Sequence, residues 1–282
     1  MLKGVLPINK PAGWTSFDVV NKVKHTLKMQ KVGHLGTLDP MATGVLLVTL
    51  GKATKLFDIM QEKTKTYVAT FEFGKTTNTL DATGEVTETS SIVPTKEQIE
   101  QILPKFIGEI EQIPPKYSAK SINGKRAYDL ARENKEFELK PSKVNINEIQ
   151  LISYENGILT LTINCGSGTY IRSIGRDLAA ALNTVAVMTS LVRISVGNFK
   201  LENCHDITEI STENIQEKVV IIKNVLNVNE IKLNANEQAK ILNGQTLQIN
   251  AEDGIYALND EFDTVALIKV CKLNAKMYLF LG

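Results

Sequence analysis

The stretch Gly33-His34-Leu35-Gly36-Thr37-Leu38-Asp39-Pro40-Met41-Ala42-Thr43-Gly44 runs directly into Val45-Leu46-Leu47-Val48. It sets one carboxylate, Asp39, in a loop of glycines and small residues, and ties that loop to an unbroken apolar run. A short continuous apolar run suits a strand buried in a core, so the loop has a firm base. Pro40 biases Asp39 away from helical geometry toward an extended one. Gly33, Gly36 and Gly44 permit positive φ, or close approach of a ligand to the backbone. Two readings of the residues stand side by side: a turn before a core strand, capped by Asp39, since Asp and Gly are ordinary turn residues, or a reactive carboxylate presented on a loop.

A chain of 282 residues suits one large domain plus a small one. No run approaches the ~18 to 20 apolar residues that cross a membrane, and Met1 to Pro7 lacks the apolar core and cleavage site of a signal peptide. Cys165, Cys204 and Cys271 are odd in number and far apart, which argues against a disulfide framework and against zinc spacing. The cytoplasm is the expected compartment. The net charge of +1 hides an asymmetry: residues 1–80 carry a net +6, and residues 201–282 a net −5. Basic charge therefore gathers around the Asp39 loop, as steering toward a phosphate backbone requires; an unevenly charged soluble surface is the plainer reading.

Outward from the loop, Thr15 or Ser16 caps a helix running to about Met29, with Phe17, Val20, Val23 and Leu27 on one face and Lys22, Lys24, His25 and Lys28 on the others. Residues 64–74 alternate as a strand with Tyr67, Ala69, Phe71 and Phe73 on one side. Thr95-Lys96-Glu97-Gln98 forms a capping box opening a helix to about Phe106. Residues 120–143 are polar and lysine-rich, helical over 126–133, and read as an exposed insertion able to grip RNA. Strands over 144–152 and 158–165 lead to the Gly166-Ser167-Gly168 loop and a helix from about Tyr170 to Leu182. Strand, glycine loop and helix suggest a dinucleotide site, but the next glycine is Gly175 and the G-x-G-x-x-G spacing fails; no Walker sequence occurs. After a connection over 203–230, residues 231–282 read as a small all-β module with Asn243-Gly244 and Asp253-Gly254 as turns.

Five blocks, in order, carry a family resemblance: Asn9-Lys10-Pro11-Ala12-Gly13-Trp14-Thr15-Ser16, the Gly33–Thr43 loop, Lys65-Thr66-Tyr67, Pro114-Pro115-Lys116-Tyr117-Ser118-Ala119 and Gly168-Thr169-Tyr170-Ile171-Arg172-Ser173. Together they resemble the bacterial tRNA pseudouridine-55 synthases, the TruB family, over most of residues 5 to 195. The resemblance implies an α+β fold, a mixed and mainly antiparallel sheet with flanking helices (the pseudouridine synthase fold) over residues 1–230, carrying a PUA-like module over 231–282. It implies an isomerase that flips the T-loop uridine of tRNA, breaks its N1–C1′ bond and rejoins the base through C5. Asp39 is then the essential carboxylate, acting at the base, at the sugar or at C2′.

The same resemblance assigns Tyr67 to stacking on the flipped base, Arg172 to the partner of Asp39, Tyr170 and Leu191 to the uracil pocket and His34 to an RNA contact. From the residues alone Tyr67, Tyr170 and Leu191 are equally core residues, and His34 a polar loop histidine. Lys10 and Lys65 are expected to reach the RNA backbone. No cofactor, no metal, no membrane and no guide RNA are expected, and a monomer is. Two further readings stand beside this one: a tRNA-folding chaperone, separable at Asp39, and a glycosidase, whose two carboxylates would have to include Asp81.

Overall fold

The computed structural model describes residues 2–61, 63–122, 124–133 and 135–282. Asn123 and Asn134 of the expected 120–143 insertion lie outside the described residues, as does Met1. The main sheet is built from β1 (Gly4–Lys10), β2 (Val32–His34), β3 (Thr43–Leu50), β4 (Lys65–Phe73), β5 (Gly108–Gln112), β6 (Ser142–Glu155), β7 (Ile158–Cys165), β8 (Ala186–Val196), β9 (Phe199–Lys200) and β10 (His205–Asp206). Its order is β10-β1-β3-β8-β4-β7-β6-β5, with β2 beside β3 and β9 beside β8. All pairings are antiparallel except β1 with β10 and β3 with β8. This is the mixed, mainly antiparallel sheet expected, and it is flanked by α1 (Ser16–Thr26), α2 (Lys96–Ile102) and α4 (Ile171–Ala181), while α3 (Ala127–Arg132) follows a short separate hairpin.

The unbroken apolar run of β3 is explained by its position between β1 and β8, covered on both faces. Val45 and Leu47 point into one core cluster; Leu46, Val48 and Leu50 point into another, against α1. On β4 the alternation holds as read: Tyr67, Ala69, Phe71 and Phe73 all enter a third cluster, packed beneath α4.

The helix α1 carries a full capping box between Thr15 and Asp18, but it stops at Thr26, three residues short of the expected Met29. Its inner face also differs from the expected one. Ser16, Val19, Val20 and Val23 are buried, whereas Phe17 is 65% exposed. The reason is a polar anchor: Ser16 Oγ donates to the Leu38 carbonyl (3.2 Å) and accepts from the Leu38 N–H (2.9 Å). That anchor fixes the rotation of the helix and turns Phe17 outward. The capping box at Thr95 is present, and α2 continues as a 3₁₀ turn to Phe106.

A second sheet is formed by β11 (Asn229–Glu230), β12 (Leu247–Gln248), β13 (Gly254–Asn259), β14 (Thr264–Cys271) and β15 (Asn274–Phe280), in the order β11-β13-β14-β15-β12. The segment is not all-β, because α5 (Ala235–Leu242) packs on this sheet. Asn243-Gly244 terminates that helix, with Gly244 at φ 83°, rather than joining two strands. One face of the second sheet packs on α5 through Leu258, Ala266, Ile268 and Val270. Its other face contributes Ala257 and Leu267, with Leu281 after it, to the cluster that holds Val5, Val45 and Leu47 of the main sheet and Leu35 of the Asp39 loop. The two sheets therefore share a core.

Candidate active site

Asp39, Pro40, Met41 and Ala42 form a turn closed by the Ala42 N–H on the Asp39 carbonyl (3.0 Å), with Pro40 in the position where its fixed φ is favourable. The turn and the three residues that lead into it are held by hydrogen bonds. Arg193 takes the Gly36 and Thr37 carbonyls, Ser16 takes both backbone groups of Leu38, and Pro40 O accepts from the Gly13 N–H (2.9 Å) and from Lys10 Nζ (3.1 Å). The Asp39 side chain keeps 30% exposure on this braced loop.

Arg172, in the first turn of α4, meets that carboxylate two-pronged: Nε to Oδ2 at 2.9 Å and Nη2 to Oδ1 at 3.0 Å. The arginine side chain is 6% exposed and the aspartate side chain 30%. The pair is thus a buried fork presenting a reachable carboxylate, the geometry that gives charge-assisted bonds their direction. The rest of the guanidinium is used as well: Nη1 donates to Thr79 O (2.8 Å), Nη2 to Tyr117 O (2.9 Å), and Nη1 lies 3.6 Å from Asp81 Oδ2.

Asp81 is the residue that motif reading did not place. It is buried and it accepts from Thr79 Oγ1 (2.8 Å) and the Thr83 N–H (3.0 Å). Its loop is tied to β8 by hydrogen bonds on Met188. Two carboxylates therefore share one arginine. Burial lifts the Asp39 carboxyl above its ordinary pKa, Arg172 pulls it back, Asp81 pushes it further up, and the direction is upward.

Tyr67 and Leu191 are buried on neighbouring strands in the cluster that also contains Leu38 and Ala42 of the loop. Burial raises the Tyr67 hydroxyl, while Arg193 lowers it by charge and hydrogen bonding. Tyr170 caps α4, half-buried, its backbone clasped by Gln112, whose Oε1 accepts from the Tyr170 N–H (2.8 Å) and whose Nε2 donates to its carbonyl (3.2 Å). His34 lies in β2 with Nδ1 buried and without a partner among the described residues. Burial, then Arg193, lowers its pKa, so the ring is neutral at neutral pH.

Two expectations are corrected. Lys10 is 0% exposed and donates to Pro11 O (2.9 Å), Trp14 O (2.6 Å) and Pro40 O (3.1 Å). Burial lowers its pKa to about 8. It braces the loop from a buried position, where the exposed placement expected of a backbone contact is not what the structure shows. Lys65 is likewise buried and donates to Lys63 O (2.7 Å); strand alternation puts it on the inner face with Tyr67. Among the described residues no group of His, Cys, Asp or Glu could hold a metal ion, and no helix is long and apolar enough to cross a membrane.

Residues 24–171 match the family model described as TruB family pseudouridylate synthase, N-terminal domain. The chain is 42% identical to the tRNA pseudouridine synthase B of Clostridium kluyveri over 88% of this chain and 86% of that protein. It is 38% identical to the protein of that name from Borreliella afzelii over the full length of both. Among solved structures it resembles a chain of an H/ACA RNP bound to a substrate RNA containing 2′-deoxyuridine. That likeness has a TM-score of 0.75 at 22% identity and covers 99% of this chain and 85% of that one. It is a likeness of fold.

Proposed function

The chain belongs to the TruB family of pseudouridylate synthases, and from that premise we propose how its own residues act on tRNA. It isomerises uridine to pseudouridine in tRNA. The uridine is that of the T loop, position 55, and the recognised partner is the T-arm stem-loop. In the reaction the N1–C1′ bond breaks, the uracil turns, and a C5–C1′ bond forms. The proton lost from C5 is matched by one gained at N1, so no electrons enter or leave.

The observation that carries this reading is the reachable Asp39 carboxylate held by a buried arginine fork. Asp39 is the essential carboxylate, and Arg172 keeps its oxygens aimed. A base inside folded RNA must leave its stack before that carboxylate can reach it, at a cost of a few kcal/mol. Tyr67, Tyr170 and Leu191 receive the extruded uracil, and the neutral His34 meets the RNA beside it.

The exposed cations Lys120, Lys125, Arg126, Arg132, Lys135 and Lys140 surround a short hairpin, Ser121–Ile122 with Lys125–Arg126, and the helix α3. We assign this segment to gripping the RNA. We place the enzyme in the cytoplasm, acting without a guide RNA, and as a monomer, to which one chain's supply of the carboxylate, its arginine and the pocket lends support. The test is conversion of an isolated T-arm stem-loop beside intact tRNA. Both are converted at the same uridine if the T arm is the recognised element; conversion of intact tRNA alone would refute it.

A further inference from the structure

Arg193 is 1% exposed, among the largest fully buried side chains of the molecule. A buried guanidinium ordinarily has a carboxylate partner. Among the described residues none lies within ion-pair distance of Arg193. Its donors go instead to three backbone carbonyls: Nε to Val45 (2.7 Å), Nη2 to Gly36 (3.1 Å) and Nη1 to Thr37 (3.4 Å). Two of these precede Asp39 and one follows it, so a single planar group joins both ends of the loop.

The register of β8 gives this placement its second half. Arg193 is opposite Gly44 of β3 on one side and opposite Tyr67 of β4 on the other. At Gly44 the backbones touch: a Cβ there would lie 2.2 Å from the Arg193 carbonyl oxygen, and φ is +103°. On the other side, Arg193 and Tyr67 form a directly opposed pair on adjacent antiparallel strands, and the guanidinium charge lowers the phenol's pKa. Five donors in a rigid fork can satisfy divergent acceptors at once, which a lysine point charge cannot.

We propose that Arg193 is a positioning residue of the isomerisation, tying both ends of the Asp39 loop to the strand that carries Tyr67. The carboxylate and the tyrosine then meet one flipped nucleoside at a fixed separation. This rests on Asp39 being the reacting carboxylate. A displacement on the order of 1 Å at a reacting group costs about a hundredfold in rate.

The experiment is single-turnover conversion of unmodified tRNA, with tRNA affinity measured in parallel. It compares wild type, Arg193→Lys, Arg193→Met, Tyr67→Phe, the Arg193→Lys/Tyr67→Phe double variant and Asp39→Asn. Both Arg193 variants lose about tenfold or more in rate at unchanged tRNA affinity, and the Arg193→Lys loss shrinks in the Tyr67→Phe background. If Arg193→Met does not fold, the lysine variant decides. A wild-type rate for Arg193→Lys, a loss that follows only the fraction of folded, tRNA-binding protein, or full additivity with Tyr67→Phe overturns the proposal. Full activity of Asp39→Asn would instead sink the reading of the site on which it rests.

Discussion

Asp39 is pulled in two directions, and the net direction has a measurable consequence. Burial and the neighbouring Asp81 raise its pKa, and Arg172 opposes them. The reaction uses the ionised carboxylate, so the rate is full above the raised pKa and falls as pH drops through it. The acid limb of the single-turnover rate is expected above the ordinary aspartate value of about 4; a limb at or below that value contradicts the assignment. Asp39 and Arg172 were legible because each sits in a short distinctive block. Asp81 was not, because what gives it a role is a contact across the fold with Arg172. The burial of Lys10 and Lys65 escapes motif reading for a different reason: lysine is expected at the surface. Strand parity carried a signal nonetheless, since Lys10 alternates with Leu6 and Ile8, and Lys65 with Tyr67 and Ala69. Of the two, Lys10 braces the loop through the Pro40 carbonyl.

At the scale of elements, hydrophobic alternation located the strands well, because each has a face on a core. The rotation of α1 was less legible. A phenylalanine looks like a core residue in a helical pattern, but the Ser16 anchor on Leu38 outranks it. In the second sheet, an Asn-Gly pair reads equally as a hairpin turn or a helix stop, and only the packing of α5 decides. The close approach of α4 to β4 is sharper still. A Cβ at Gly175 would lie 2.4 Å from two ring carbons of Phe71, so the helix that delivers Arg172 lies directly on the strand that carries Tyr67. Gly175→Ala is expected to cost about 1–3 kcal/mol through overpacking, measured by urea unfolding. Adding Phe71→Leu should return part of that loss; a Gly175→Ala variant as stable as wild type would show that the contact is not tight.

Across the whole molecule, the two sheets are joined by a common core rather than by a linker. Leu267 and Leu281 pack in one cluster with Leu35, Val45 and Leu47, residues at the start and just beyond the end of the Asp39 loop. Lys3 adds a polar tie, donating to Thr264 O (2.9 Å) and Leu281 O (3.2 Å) and pairing with Asp263 at 3.5 Å. Removing residues 229–282 should therefore lower the melting temperature of the remainder and its activity, and the full chain should unfold in one calorimetric transition; two separate transitions would contradict the shared core. The acidic C-terminal part packs behind β3, the strand that supports the loop. The proposed reaction depends on one carboxylate of that loop, Asp39. Its most direct test is pseudouridine mapping of an unmodified tRNA transcript incubated with the wild-type chain and with Asp39→Asn, without guide RNA or cofactor. Conversion at the T-loop uridine is expected for the wild type alone, with tRNA still bound by the variant. Conversion by both proteins, or by neither while both bind tRNA, would contradict it.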